Sequence, residues 1–309
     1  MTHGLAGASI AVAASKWTGD GSMQPALVAS ATIAALLPDL DFLFAIAKKP
    51  LLAWRWHRVL LHNLLAVPVL ALLAAGCVHP FAGETAFDSL LIVNALALFS
   101  HVFLDLLTSF RTGVLFPLSR KRYAIGTHFL TDPIIGMLCG LSLVPSWNAW
   151  MLLTLAMYLF VAAGLKAVAM RRAKMRQAKL RLSRYPIHLR PRVFAPWRWM
   201  AIIERETQYV FFYLTPLHAE SPKTTSRGRQ TEAAKLVEKH ELLRCFDLLA
   251  DFPRYEDTYR DGQSAIVVED IQWWWKLPYR PMAISAVIDA DGNPCQARET
   301  HKLSKHPTG

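Results

Sequence analysis

Four long apolar runs, Val59–Val78, Ser89–Ser109, Phe129–Pro145 and Trp147–Met170, alternate with short polar stretches in the first part of the chain. Each approaches the roughly 20 residues that a helix needs to cross a bilayer, so the pattern predicts four transmembrane helices. Two shorter runs come first, Gly4–Ala14 and Pro25–Leu37, separated by the polar turn Lys16–Ser22. At about 11–13 residues each they are too short to span alone at ~1.5 Å per residue. They are expected as a re-entrant pair or as short helices packed inside the bundle.

Beyond Arg184 the pattern changes. Trp199–Leu214, Ser264–Asp270 and Ala283–Ile288 carry the β-branched and aromatic residues of strands, and Asp289–Asn293 is a turn signal. Glu232–Ala250 has helical spacing, Ser221–Gln230 reads as a flexible loop, and the last residues read as a disordered tail. The expected architecture is a polytopic α-helical membrane bundle followed by a small α+β cytoplasmic domain. Its parts are a membrane domain over 1–170, a basic juxtamembrane linker over 171–190, the α+β domain over 191–300 and a tail over 301–309. No internal repeat is visible.

Composition sharpens this division. Of 57 charged side chains (34 basic, 23 acidic), 17 lie in residues 1–170 and 40 in residues 171–309. The net charge of +11 is also local: Arg171, Arg172, Lys174, Arg176, Lys179, Arg181 and Arg184 form a run without an acid. Beside an apolar run, such a cluster marks a cytoplasmic flank, and no nucleic-acid partner is expected. The segments Lys48–Arg58 and Arg111–Arg122 are basic, whereas Val78–Asp88 has no Lys or Arg. The positive-inside rule then places both basic loops and the C-terminal domain in the cytoplasm of a multi-pass inner-membrane protein.

The four cysteines, Cys77, Cys139, Cys245 and Cys295, have no ligand spacing and indicate no disulfide framework. Gly4–Ala14 lacks the basic residues that precede a signal peptide's apolar stretch, so it is expected to be retained with His3.

Ionisable residues within apolar segments are costly and are functional by default. Asp39 and Asp41 follow the helix-ending Pro38, His57 and His62 open the next run, and His101 and Asp105 share one helical face four residues apart. By the topology above, all six lie toward the cytoplasmic ends of their segments, and His3 reaches the same side. The expected metal ligands are His3, His57, His62, His101 and Asp105, with Asp39 or Asp41 as general base. Imidazole with carboxylate suits a divalent metal, zinc first, with Fe²⁺ and Mn²⁺ compatible. Arg58 and Arg111 are basic groups suited to an anionic substrate. His128 and Asp132 form a helix-start pair, Asp132 near the positive end of the next helix.

These motifs resemble those of the LexA-regulated, inner-membrane-bound family described as metal-dependent hydrolases. The likeness rests on Thr2-His3, Pro38-Asp39-Leu40-Asp41, His57-Arg58 with His62, and His101-Val102-Phe103-Leu104-Asp105. It continues through Thr108, Gly113, Phe116-Pro117-Leu118-Ser119 and Asp132-Pro133, then Pro196-Trp197-Arg198-Trp199, Phe252-Pro253-Arg254 and Glu269-Asp270-Ile271. The pattern is also distantly similar to zinc-dependent phospholipase C and P1-type nucleases, departing at Val59, Leu61 and Asn63. The resemblance implies hydrolysis of a phosphoester or another amphiphilic ester, with membrane lipid as neighbour or substrate. Two rival expectations remain: a transporter or ion pathway through the same residues, and a scaffold that binds a partner through Trp273-Trp274-Trp275.

Overall fold

The computed structural model describes residues 2–16, 24–42, 56–129, 132–192, 195–229, 231–260, 263–274, 283–289 and 291–299. Most of the polar turn after Lys16, the basic residues Lys48, Lys49 and Arg55, Trp275 and the 301–309 tail lie outside them. Two compact units emerge. The first draws on the described parts of Met1–Leu43, Trp56–Met170 and Pro191–Trp199, and the second on those of Arg171–Arg190 and Met200–Gly309.

The first unit is helical: α1 (Thr2–Ser15), α2 (Pro25–Leu36), α3 (Ala66–Val78), α4 (Phe87–Leu107), α5 (Pro133–Leu141) and the start of α6 (Asn148–Lys179). A 3₁₀ segment, Leu37–Phe42, follows α2 directly. The core is small: Ala11, Leu27, Ala31, Ala34, Ala35, Ala71, Ala75, Leu90, Ala97 and Leu98 are buried against one another. Small side chains let helix backbones approach closely. At Gly7 the approach is closest, since an added Cβ there would lie 2.5 Å from the Ala31 carbonyl oxygen and 2.8 Å from Ala35 Cβ.

The expectation of four transmembrane helices is overturned. Among the described residues only Phe87–Leu107 and Asn148–Lys179 are long and apolar enough to cross a membrane. The run Val59–Val78 becomes helical only at Ala66, and its beginning is held otherwise. Asn63 Nδ2 donates to the carbonyls of Val59 and Leu60, and Asn63 Oδ1 accepts from the Ala66 amide. The Gly113 amide donates to the Arg58 carbonyl at 2.7 Å, and the Leu64 amide to that of Val114 at 3.0 Å. Arg58 itself has a φ of 59°. The run Phe129–Pro145 is shortened from both ends. Asp132 and Pro133 set a helix start, because a residue before proline avoids helical backbone, and α5 closes at Leu141. Hydropathy counted apolar residues; side-chain amides and caps decided where helices begin.

α4 divides cleanly into faces. Leu90, Val93, Asn94, Ala97, Leu98, His101, Val102 and Asp105 are buried, whereas Ile92, Leu96, Phe99 and Phe103 are exposed. On α6 the exposed side chains include Trp150, Leu153, Met157, Phe160 and Val161. Apolar surface on this scale marks contact with another apolar phase.

The remaining chain carries the α+β character expected. Two antiparallel four-stranded sheets run in sequence order, β1 (Ile187–Arg192) to β4 (Lys223–Ser226) and β5 (Pro253–Arg260) to β8 (Pro294–Glu299). Between them lie α7 (Glu232–Leu236) and α8 (Glu241–Leu249). Within the stretch read as a loop, Lys223–Ser226 instead pairs with β3 (Gln208–Leu214), Gln208 opposite Ser226 and Phe211 opposite Lys223. Thr224 and Thr225 favour extended backbone even on an exposed edge. Leu236, Val237, Leu243 and Phe246 pack on Ile266, Val268, Ile284 and Ala286. At the end of β6 (Gln263–Asp270) the Asp270 carboxylate is buried and accepts from the Asp251 amide, the Gln272 amide and Gln272 Nε2.

Candidate metal centre

Four segments of the first unit bring polar side chains to one place. α1 supplies His3, the 3₁₀ turn after α2 supplies Asp39, the irregular stretch before α3 supplies His62, and α4 supplies His101 and Asp105. Two groups of donors form. His3, His101 and Asp105 make one, and Asp39, His62 and His101 the other, each with ligand atoms within 4.8 Å of one another. His62, His101 and Asp105 are buried, while the Asp39 side chain is 46% exposed.

His101 is the hub, and its chemistry follows from a backbone group. Its Nδ1 lies 2.6 Å from the Ala35 carbonyl oxygen. A carbonyl only accepts, so Nδ1 carries the proton and Nε2 keeps a lone pair. That Nε2 is buried and makes no hydrogen bond among the described residues. It faces Asp39 Oδ1 at 3.7 Å and Asp105 Oδ2 at 3.9 Å. His62 Nε2 stands 3.5 Å from each of the same two oxygens. These gaps exceed hydrogen-bond length. They suit donors around one ion, which at ~2.0–2.1 Å each and tetrahedral angles are roughly 3.4 Å apart. Because His101 offers a single lone pair, the two groups overlap in one pocket and do not form two centres.

The other Asp105 oxygen is held from behind. Arg58 Nη2 donates to Oδ1 at 2.9 Å, Arg58 Nη1 to Thr108 Oγ1 at 2.9 Å and to the Phe110 carbonyl at 3.3 Å. His3 Nε2 is 3.4 Å from the same Oδ1, and its ring stacks on His101 with centroids 3.8 Å apart. Oδ2 is thereby left turned toward His62 and His101. Such outer partners fix the orientation of ligating groups.

The expected site residues sort themselves accordingly. The structure gathers His3, Asp39, His62, His101 and Asp105. His57 lies outside both donor groups, its ring meeting that of His62 edge-on at 5.5 Å. Asp41 belongs to the same 3₁₀ turn as Asp39, and its side chain lies outside the described residues. Arg58 is buried with its guanidinium on Asp105, and Arg111 is exposed on the loop after α4. Sequence reasoning did not single out Ala35, because a backbone carbonyl has no residue signature. Thr108 stands out in the sequence only as part of a motif.

A second polar group gathers His128 from the loop after Thr108, Asp132 at the start of α5 and Tyr158 of α6. Asp132 Oδ1 caps α5 by accepting from the Ile134 and Ile135 amides, as the helix-start reading expected. Asp132 Oδ2 accepts from the Tyr158 hydroxyl at 2.6 Å. His128 Nδ1 lies 2.7 Å from Thr127 Oγ1, and its Nε2 is 3.9 Å from Asp132 Oδ2. Burial lowers the His128 pKa below its ordinary value, with the Asp132 charge opposing.

Comparison with known proteins bears on the helical part. Residues 1–173 match the family described as YdjM inner membrane protein. No curated protein and no solved structure matches the chain.

Proposed function

The chain belongs to the YdjM inner membrane protein family, and from that premise we propose that it is a membrane-embedded, metal-dependent hydrolase of phosphoesters or other amphiphilic esters. His62, His101 and Asp105 would hold the cation. Zinc is the first choice for this imidazole and carboxylate set. A divalent cation bound there supplies Lewis acidity and a water that ionises near neutrality.

The residues of the chain do the rest. Asp39, half-exposed and within 3.7 Å of both imidazoles, is the carboxylate placed to take a proton from water as general base. Arg58 and His3 hold Asp105 in the orientation that turns Oδ2 inward. Arg111, exposed nearby in sequence, is the group offered to an anionic substrate. On this reading the chain spans the membrane more than once, and the basic run from Arg171 supports a cytoplasmic C-terminal domain. The site then opens at the cytoplasmic face, where amphiphilic esters are available.

The observation that carries this reading is the buried, hydrogen-bond-free His101 Nε2, its lone pair fixed by the Ala35 carbonyl and aimed between two carboxylates. The test is metal content and hydrolysis of a phospholipid and phosphoester panel by purified full-length protein, beside His101→Ala and Asp39→Asn. His101→Ala should lose both metal and turnover, whereas Asp39→Asn should keep metal and lose turnover. Metal content unchanged by His101→Ala sinks the proposal.

A further inference from the structure

We propose that His128 and Asp132 form a second divalent-cation site, because the buried His128 Nε2 and Asp132 Oδ2 face each other across a gap that neither fills.

Thr127 Oγ1 lies 3.1 Å from the Leu107 carbonyl oxygen and 2.7 Å from His128 Nδ1. With the Thr127 hydroxyl proton on the Leu107 carbonyl, the His128 proton sits on Nδ1 and Nε2 presents a lone pair. His128 is 2% exposed, and Nε2 makes no hydrogen bond among the described residues. Opposite it, Asp132 Oδ2 is a carboxylate oxygen that already receives the Tyr158 proton. A lone pair aimed at an anion is repulsive unless something positive lies between.

A proton on Nε2 would be one answer, but it draws such a pair together to ~2.8 Å. The separation here is 3.9 Å. Two donors at ~2.0–2.1 Å from one ion stand about 3.4 Å apart at tetrahedral angles and up to about 4.1 Å when opposed. The gap thus admits an ion at a wide donor angle. Each prospective ligand also has its outer partner, Thr127 for the imidazole and Tyr158 for the carboxylate. The same pattern surrounds His101 and Asp105. A mixed imidazole and carboxylate pair takes Zn²⁺ or Mn²⁺, water completing the shell.

The site is weaker than the first by construction. It offers two protein ligands, and Asp132 caps α5, whose N-terminal dipole opposes a cation. Its occupant should be the first lost to a chelator. When filled, it ties the loop that begins at Thr108 to the start of α5, since Thr108 and His128 pair through their backbones.

Zinc and manganese binding by full-length protein in detergent, followed by elemental analysis and competition with graded chelators, tests this. Wild type should hold two equivalents, one released by the weaker chelator. His128→Gln and Asp132→Asn should each lose that equivalent and keep the tighter one. Asparagine caps a helix about as well as aspartate, so Asp132→Asn keeps the fold while removing the charge. Tyr158→Phe, which leaves both ligands, should loosen the weaker equivalent roughly 10-fold without changing stoichiometry at saturation. A single equivalent lost with His101→Ala and untouched by His128→Gln overturns this site and spares the hydrolase centre. A single equivalent lost with His128→Gln and untouched by His101→Ala supports it and overturns the other. Two equivalents retained in both His128→Gln and Asp132→Asn also overturn it.

Discussion

Replacing Gly7 with alanine should weaken metal binding at the His/Asp cluster although Gly7 touches none of its ligands. The added Cβ would sit 2.5 Å from the Ala31 carbonyl oxygen, and ordinary contact begins at 3.4 Å. α1 and α2 must therefore separate by close to 0.9 Å, the difference of these values. The obstructing atoms are backbone and a Cβ, so no side chain can rotate out of the way. Overpacking of this kind costs roughly 1–3 kcal/mol. The same α2 turn carries the Ala35 carbonyl that fixes His101 Nδ1 at 2.6 Å. A shift of that size in α2 cannot leave a 2.6 Å hydrogen bond at its present geometry. Losing an orienting partner typically lowers metal affinity ~10–100-fold. Gly4→Ala is the control, because its Cβ meets only Leu36 side-chain carbons at 3.6 Å. It should bind metal like wild type and, by removing a helix-interior glycine, gain about 0.5–1 kcal/mol. Zinc competition and thermal melts in detergent read both. Wild-type affinity in Gly7→Ala, or equal losses in the two variants, would refute the coupling through Ala35.

Arg58→Ala should destabilise the helical unit by about 3–5 kcal/mol, because it strands the buried Asp105 carboxylate without its guanidinium; a Tm close to wild type would show that His3 suffices as partner. In the β-rich part, Asp270 has its carboxyl pushed up from 3.8 to about 6, by burial first and the Asp251 charge second. The folded form holds that proton more tightly than the unfolded one, so the stabilisation is complete below about pH 4 and is lost as pH rises through about 6. The difference is worth roughly 3 kcal/mol across that window. Hydrogen exchange in Gln263–Asp270 should accelerate from pH 4 to 7 beyond its intrinsic rate, and Asp270→Asn should flatten the trend; an unchanged slope would refute it.

The candidate site was legible in the sequence because its residues are misfits. Asp39, His62, His101 and Asp105 interrupt or border apolar runs, and the four-residue spacing of His101 and Asp105 puts both on one face. Their roles were less legible. Arg58 reads as a substrate cation until its positive φ and its bond to Asp105 are known. Tyr158 reads as one more apolar helix residue until Asp132 is found beneath its hydroxyl. The helix count was lost for a related reason: hydropathy does not register that Asn63 bonds its own backbone or that Asp132-Pro133 starts a helix. In the β-rich part, strand-forming residues predicted Ala283–Ile288 at its observed ends, whereas the edge strand Lys223–Ser226 has no apolar alternation to announce it.

The shortness of α3 has a consequence for the surrounding lipid. At 13 residues it rises only about 20 Å, against ~30 Å of hydrocarbon. Val69, Leu72 and Leu73 are exposed along it, so acyl chains beside them would have to compress to its length. On the proposed membrane reading, a thinner bilayer would match this helix with less distortion than a thick one.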